Sequence, residues 1–399
     1  MGQPKVTINI QNGGLATAST NPDVVSGLIS YNSNFAQLSG VGITSGTNYA
    51  FCQVGSVKDA ELFGILSTNN FSIEHFQIQQ YFIGNPSAKL FLGLVNTLTG
   101  GTGATYTFEE IVTLQQYAVG QIVRFGVLLN KALATSDVNT LQGIVTTLYS
   151  INAPATIYYE PNTLSTSYLS LTDLRVLNDN QVCVIIGQDS TLTGGVGGAL
   201  ALTNSRTVSN IGLILGYKTT GIELNVGWVG GFNFQNANEN YSMQIGNTQL
   251  VNITQSALDL LNDKGYIFMK QIVGFPGTYI NDMPSASVLA NNDYAYIPNS
   301  EVMYKAVRAV RAGLTPFINS KIKVNTDGTM DYGYIKVFEN AAEAGLILMK
   351  TNDEISDYKV FINSNSNVVS TSTVPVTIKI LPVGYSRYIT VSIGFAAKL

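Results

Sequence analysis

A single histidine, His75, stands in a chain of 399 residues. That excludes multi-histidine metal sites and leaves one candidate imidazole for any nucleophilic triad. In "FSIEHFQIQQYF" it reads as a packed residue of an amphipathic segment. Cys52 in "YAFCQVG" and Cys183 in "NQVCVIIG" lie inside apolar, strand-like runs, where a thiol behaves as a small buried hydrophobe. Both are expected to be free and buried. No GxxxxGK[ST] loop occurs, and "GGVGGALA" and "GGTGATY" each lack the third glycine of GxGxxG, so neither supports a nucleotide site. Glu160 and Asp189 follow apolar strands, at the carboxyl ends where an open α/β sheet can hold ligands. Isolated acids after strands are more often ordinary loop residues.

The densest charge lies elsewhere. Only 12% of the residues are charged, yet five basic side chains and one acidic one fall between Glu301 and Lys323. Over Glu301 to Leu314 the residues Met303, Val307, Val310 and Leu314 recur at helical spacing, predicting a helix with that stripe toward a core. Lys305, Arg308 and Arg311 then lie outside the stripe, spaced by three, and can meet one partner surface together. A solvated helix face is the plainer reading. The charge poverty of the remaining chain favours a partner.

The elements that must carry these groups are of two kinds. From about Val54 to Gln188 apolar strands (90–95, 122–129, 155–160 and 182–187) alternate with helical segments, predicting a largely parallel sheet covered on both faces. One helix is expected in "SDVNTLQGIVTTLYS", with Val138, Leu141, Val145 and Leu148 inward and Ser136 and Asp137 as caps. Residues 191–250 read as a helix followed by irregular strands. Then come a helix in "TQSALDLLNDKG", a strand in "YIFMKQIVG" and a long unpatterned loop from Phe275 to Pro298. Strictly alternating strands stand at both ends: Val6, Ile8 and Ile10 in the first, and "VPVTIKIL" with "YITVSIGF" in the last. Terminal strands are the segments most able to complete a neighbour's sheet.

The chain is long enough for two or three domains. Its net charge of −4 excludes a chain-wide basic surface for nucleic acid. With neither a Lys/Arg-led apolar run at the start nor about 18 uninterrupted apolar residues, no signal peptide or membrane span is expected. Few charges with 21 tyrosines and 38 glycines suit a surface that faces other protein.

The passage "GYIFMKQIVGFPGTYINDMPSASVLANNDYAYIPNSEVMYKAVRAVRAGLTPFINSKIKVNTDGTM" resembles the C-terminal domain of contractile tail sheath proteins of phages and related injection machines. The resemblance rests on motif order: "GFPGTYIND", a Tyr-rich segment into "IPNSEVMYKAVRAVR", "LTPFINSKIKV", a "DGT" turn, and a closing strand pair around "ILPVGYSRYITVSIGF". It covers about Gly265 to the C-terminus; "GGVGGALALTNSRTVSNIG" is similar more loosely.

The resemblance implies an α+β and α/β multidomain fold. It has an N-terminal arm (1–22), an inserted outer α/β region (23–251, divisible near 190), and a C-terminal sheath domain (252–399) of mixed sheet and helices completed by terminal strands. It implies a structural subunit, not an enzyme, without cofactor or metal, that stacks in helically related hexameric rings and contracts to drive an inner tube through a cell envelope. Val6, Ile8, Ile10, Ile389, Val391 and Ile393 would line strands exchanged between subunits, and Lys305, Arg308 and Arg311 would face the tube. Implied partners are further copies of the chain, the tail tube protein, and baseplate and tail terminator proteins, with no nucleic acid and no membrane insertion. The place would be a virion tail sheath or an injection particle assembled in the bacterial cytoplasm. Two other classes remain open: an α/β ligand-binding protein or enzyme with Glu160 and Asp189 near its site, and a tail fibre or adhesin, which the regular α/β alternation disfavours.

Overall fold

The computed structural model describes residues 22–98, 105–190, 192, 195–234 and 243–393. The strand expected around Val6, Ile8 and Ile10 lies outside the described residues. The first half alternates as its apolar runs require. β1 (Val25–Tyr31), β2 (Thr44–Ser45), β3 (Tyr49–Val54), α1 (Val57–Leu62) and α2 (Ser72–Gly84) are followed by β4 (Lys89–Val95) and α3 (Glu109–Tyr117). Then come β5 (Arg124–Ala132), α4 (Thr135–Ser150), β6 (Thr156–Asn162), β7 (Val182–Ile185) and β8 (Gly187–Gln188). The second half contains α5 (Val196–Asn204), α6 (Ile211–Lys218), β9 (Gln244–Ile245), β10 (Thr248–Gln249), α7 (Gln255–Asp263), β11 (Tyr266–Ile267), β12 (Met269–Ile272) and β13 (Phe275–Ile280). It closes with α8 (Ile297–Leu314), α9 (Tyr332–Thr351), β14 (Ile355–Ile362), α10 (Val368–Thr371) and β15 (Val376–Pro382).

Eight strands form one sheet in the order β11-β7-β6-β5-β1-β4-β3-β2. The run from β11 to β4 is parallel, and β3 and β2 add antiparallel at one edge. Leu28, Val127, Ile157 and Val184 are fully buried, as strands covered on both faces must be. β11 lies on the C-terminal side of the boundary expected at 251/252, yet it pairs with β7 in this sheet. Cys52 and Cys183 are both buried and free, and burial pushes the Cys52 thiol up to about 12.

Several local expectations change. The helix α4 begins one residue earlier than its expected caps: Ala134 is the N-cap and makes no side-chain bond. Asp137 is instead paired with buried Lys131 at 2.8 Å. "NIGLILGYK" forms the helix α6, not irregular strands. It is apolar all round because it is buried all round, and such a run carries no helical periodicity. Gly212 and Gly216 permit this placement: a Cβ at either would collide with the backbone carbonyls of Gln77 and Tyr81 on α2. "YIFMKQIVG" divides between the large sheet and a hairpin, and Phe275 opens β13 where a loop was expected.

In the C-terminal part α8 and α9 approach through small residues, with Ala306, Ala309 and Gly313 facing Ala341, Ala342 and Gly345. The antiparallel pair β14–β15 packs Ile355, Val360, Val376, Ile378 and Ile380 toward these helices. Only one of the two expected closing strands forms: β15 pairs with β14, and Tyr388 to Ile393 has no strand partner among the described residues.

Candidate functional site

The basic helix does not hold its charges out to solvent. α8 lies across the amino ends of β5 and β6, and its Glu301 is buried against them and the end of α6. One carboxylate oxygen, Oε1, accepts from Tyr158 OH at 2.8 Å, Thr156 Oγ1 at 3.1 Å and Arg124 Nε at 3.4 Å. The other, Oε2, lies 2.7 Å from Lys218 Nζ at the end of α6. Lys218 also donates to the carbonyls of Ile222 and Leu224, and Arg124 donates to Asp23 O at 2.7 Å. Burial raises the Glu301 carboxyl, but Lys218 and Arg124 outweigh it and hold the group below the ordinary carboxylate range.

Lys305 continues this network, ion-paired with Asp23 and with Glu354, the latter at 2.5 Å. Arg308 donates from Nη1 to Pro154 O at 2.9 Å, while its Nε and Nη2 are closed off from solvent; burial pushes its guanidinium down to about 10. Arg311 is exposed and donates to Asn152 O at 2.8 Å. The expectation of three free cations on one flank is therefore corrected. Lys305 and Arg308 are spent on the molecule's own fold, because α8 is embraced from two sides. Val302 and Ala306, rather than Met303 and Val307, are its buried apolar positions toward α9, while Val310 and Leu314 of the expected stripe pack partly buried against the same core. Glu301 reaches the large sheet, and Lys305 and Arg308 reach the segments beside it. No periodicity within α8 could show this, since Arg124, Thr156 and Pro154 lie more than 140 residues away in sequence.

The carboxyl ends of the same strands are closed as well. Glu160 is fully buried and accepts from the Ser209 backbone N–H at 2.8 Å and from the Ser209 hydroxyl, with Arg206 Nη2 at 3.5 Å. It thus sits at the amino end of α6, where the helix dipole favours an anion. Asp189 accepts from Asn210 Nδ2 in the same turn. The two acids expected near a ligand site are instead buried and anchor the amino end of α6, which runs from there to Lys218. His75 lies on α2 with Nε2 3.1 Å from Glu61 Oε1. Among the described residues no cluster of His, Cys, Asp and Glu is placed to hold a metal, and no helix is long and apolar enough to cross a membrane.

What the molecule leaves open is its C-terminal edge. After β15 the chain is clamped: Tyr385 OH donates to Glu223 O, Arg387 Nε lies 2.9 Å from Asp282 Oδ2, and the Arg387 guanidinium lies 3.4 Å from the centre of the Tyr296 ring. Beyond it Ile389 is 79% exposed, Val391 69% and Ile393 93%. The alternating apolar residues are present, but nothing among the described residues pairs with them. Among the described residues β14 and β15 each have one strand partner, so each also presents an unpaired edge there.

Comparison with known proteins matches this architecture along nearly its whole length. The C-terminal domain of the DUF2586 family matches residues 293–399. The fold is similar to that of the helical sheath of the anti-feeding prophage in its contracted state, with TM-score 0.61, 14% identity and 99% of each chain covered. It is similar to the contracted PVC sheath complex of an extracellular contractile injection system, with TM-score 0.58, 10% identity, and 100% of this chain and 98% of the other covered. A sheath tail protein from Listeria innocua is similar with TM-score 0.51 at 8% identity, covering 90% and 92%. No curated protein matches the sequence. The chain has the fold of contractile sheath proteins.

Proposed function

We propose that this chain is the structural subunit of a contractile sheath, polymerising in helically stacked rings around an inner tube and driving that tube through a cell envelope by contraction. One observation carries the reading: a sheath-protein fold over the full chain ends in an apolar, alternating segment held out in solvent. In this reading Ile389, Val391 and Ile393 of one copy, with Val6, Ile8 and Ile10 of another, add to unpaired edges such as those of β14 and β15. Work comes from relaxation of a metastable extended lattice to a more extensively contacted one, which needs no nucleotide site. A ligand-binding alternative is disfavoured because Glu160 and Asp189 are buried and bonded to Ser209 and Asn210 at the start of α6.

The tube contact is reassigned within the basic passage. Of the three residues first expected there, Arg311 is exposed, and Lys321 and Lys323 follow it on the surface; these three are the proposed tube-facing cations. The division into an outer region and a C-terminal domain is proposed with β11 counted in the outer sheet. Baseplate and terminator proteins are proposed as partners at the sheath ends, and assembly in the cytoplasm of a bacterial host.

The deciding experiment is electron microscopy of the purified chain with and without the residues after Arg387. Tubes or stacked rings from the full chain, and folded but unassembled protein from the truncation, are expected. Full-length protein that stays monomeric, or a truncation that still builds ordered tubes, contradicts the reading.

A further inference from the structure

The register of β14 and β15 sets Lys359 directly opposite Lys379, and both side chains are exposed on the face turned away from α9. Like charges in facing positions destabilise a strand pair. Neither lysine has a hydrogen-bond or ion-pair partner among the described residues. Lysine on an edge strand discourages unwanted pairing, but one suffices for that, and two in register add a repulsion with no return within the monomer. Exposed Phe361 and Leu381 flank the pair on the same face, at 50% and 59%. The same face also carries Asp357, opposite Leu381, whose charge is taken by Lys350 at 2.8 Å. The two lysines are left as the cationic centre of the strip, with Phe361 and Leu381 as its apolar area, the make-up of a protein contact with an anionic centre.

α7 carries the opposite pattern. Asp259 and Asp263 stand one turn apart, an arrangement that disfavours the helix that bears it, and both are exposed, with Leu260 beside them at 48%. Asp259 accepts from Gln255 Nε2 at 2.8 Å; Lys270 and Arg387 line the same groove, but Lys270 donates to the Asn281 carbonyl and Arg387 is ion-paired with Asp282. Residues one turn apart on a helix have Cβ atoms about 5–6 Å apart, and directly opposed strand residues about 4.5–5.5 Å. Two cations and two anions thus have the same spacing, each beside exposed apolar area.

We propose that Lys359 and Lys379 of one copy seat against Asp259 and Asp263 of a second copy. The proposal rests on the reading of the chain as a self-assembling subunit and names one of its contacts. Because each copy bears both patches and they are unlike, the contact can repeat from copy to copy, as ring and helical assemblies require.

The test uses the full chain and three variants: Lys359→Glu with Lys379→Glu, Asp259→Lys with Asp263→Lys, and all four together. Assembled protein is measured by sedimentation, and thermal unfolding of the unassembled fraction reports folding. The lysine reversal keeps a like-charged pair in the hairpin but sets it beside Asp357, so a small lowering of the unfolding midpoint is expected, with the protein still folded at the assembly temperature. Each two-site variant should lose roughly tenfold or more of its assembled fraction, and the four-site variant should recover to within about threefold of the original chain. Wild-type assembly should also weaken steeply as salt rises from roughly 0.05 to 0.5 M. A lysine reversal that assembles normally, or a four-site variant that stays unassembled, overturns the contact while leaving the sheath reading intact. So does a reversal that loses only a co-expressed tube protein, which would make the tube the occupant. Wild-type protein that never assembles rejects the sheath reading itself.

Discussion

The large sheet and the C-terminal hairpin treat their unpaired groups in opposite ways. Each interior strand of the sheet has two partners, α6 and Glu160 close the carboxyl ends, and α8 and Glu301 close the amino ends. The hairpin β14–β15 has one pairing, faces its lysines at each other, and is followed by exposed Ile389, Val391 and Ile393. The first region pairs its strands and its buried Glu160 and Glu301 within the chain. The second packs one face on α9 and leaves its other face and its outer edges unpaired among the described residues. Assembly contacts are therefore to be sought where hydrogen-bonding and charge remain unspent, and not simply where charge is dense in the sequence.

The sharpest way to break this contrast is at Glu301. Glu301→Ala leaves Lys218 and Arg124 buried with no counter-charge, and should destabilise the monomer by about 3–5 kcal/mol in chemical denaturation. Since the folded carboxyl titrates below its ordinary value, its contribution is present above that value and fades as pH falls through the lowered one. The original chain should thus lose stability on acidification below about pH 4.5, and Glu301→Ala should lose less there. A neutral-pH loss below about 1 kcal/mol would mean the network is slack.

Gly212→Val comes next. The added carbons would meet the Gln77 carbonyl, and overpacking of this kind costs about 1–3 kcal/mol. A lowered thermal midpoint is expected. An unchanged midpoint would show that α2 and α6 can part freely.

A smaller effect of opposite sign is expected at Asp179, whose carboxyl burial pushes up to about 6 and whose Oδ2 has no hydrogen-bond partner among the described residues. Its raised value means that its favourable contribution is present at low pH and lost as pH rises through about 6. Asp179→Asn should then stabilise the protein at pH 7 by about 1 kcal/mol after solvent screening. The gain should vanish near pH 4, which paired denaturation curves can check.

The smallest effect on folding belongs to the open region. Val391→Asp with Ile393→Asp should move monomer stability by less than about 0.5 kcal/mol, yet abolish tubes seen by electron microscopy. A large loss of monomer stability would mean that the tail belongs to its own core.

Much of the sheet was legible because fully buried parallel strands are continuous apolar runs bounded by turns, as in "LFLGLV" and "VCVIIG". α6 was not legible: "GLILG" is apolar on every side, and a helix buried all round has lost the periodicity that would identify it. The existence of α8 followed from its spacing, and its partners did not. Lys305 and Arg308 are indistinguishable in sequence from solvated cations, because what neutralises or surrounds them comes from Asp23, Pro154 and Glu354. The tail shows the converse: alternation in "YITVSIGF" records a preference for strand, but a strand also needs an edge, and the monomer supplies none there among the described residues.

The clamp at Arg387 has a mechanical consequence. Any tension applied to residues beyond Tyr388 reaches Arg387 before it reaches β15. There it passes sideways through the ion pair into Asp282 and through the stacked ring of Tyr296 into the root of α8. Without that side path the load would peel Pro382 first and open the β14–β15 ladder one bond at a time, the weakest direction for a hairpin. With it, the pull is borne by α8, whose Glu301 is bolted to two strands of the large sheet. The tail is thus tied through Arg387 to α8 and the large sheet while being covalently continuous with β15.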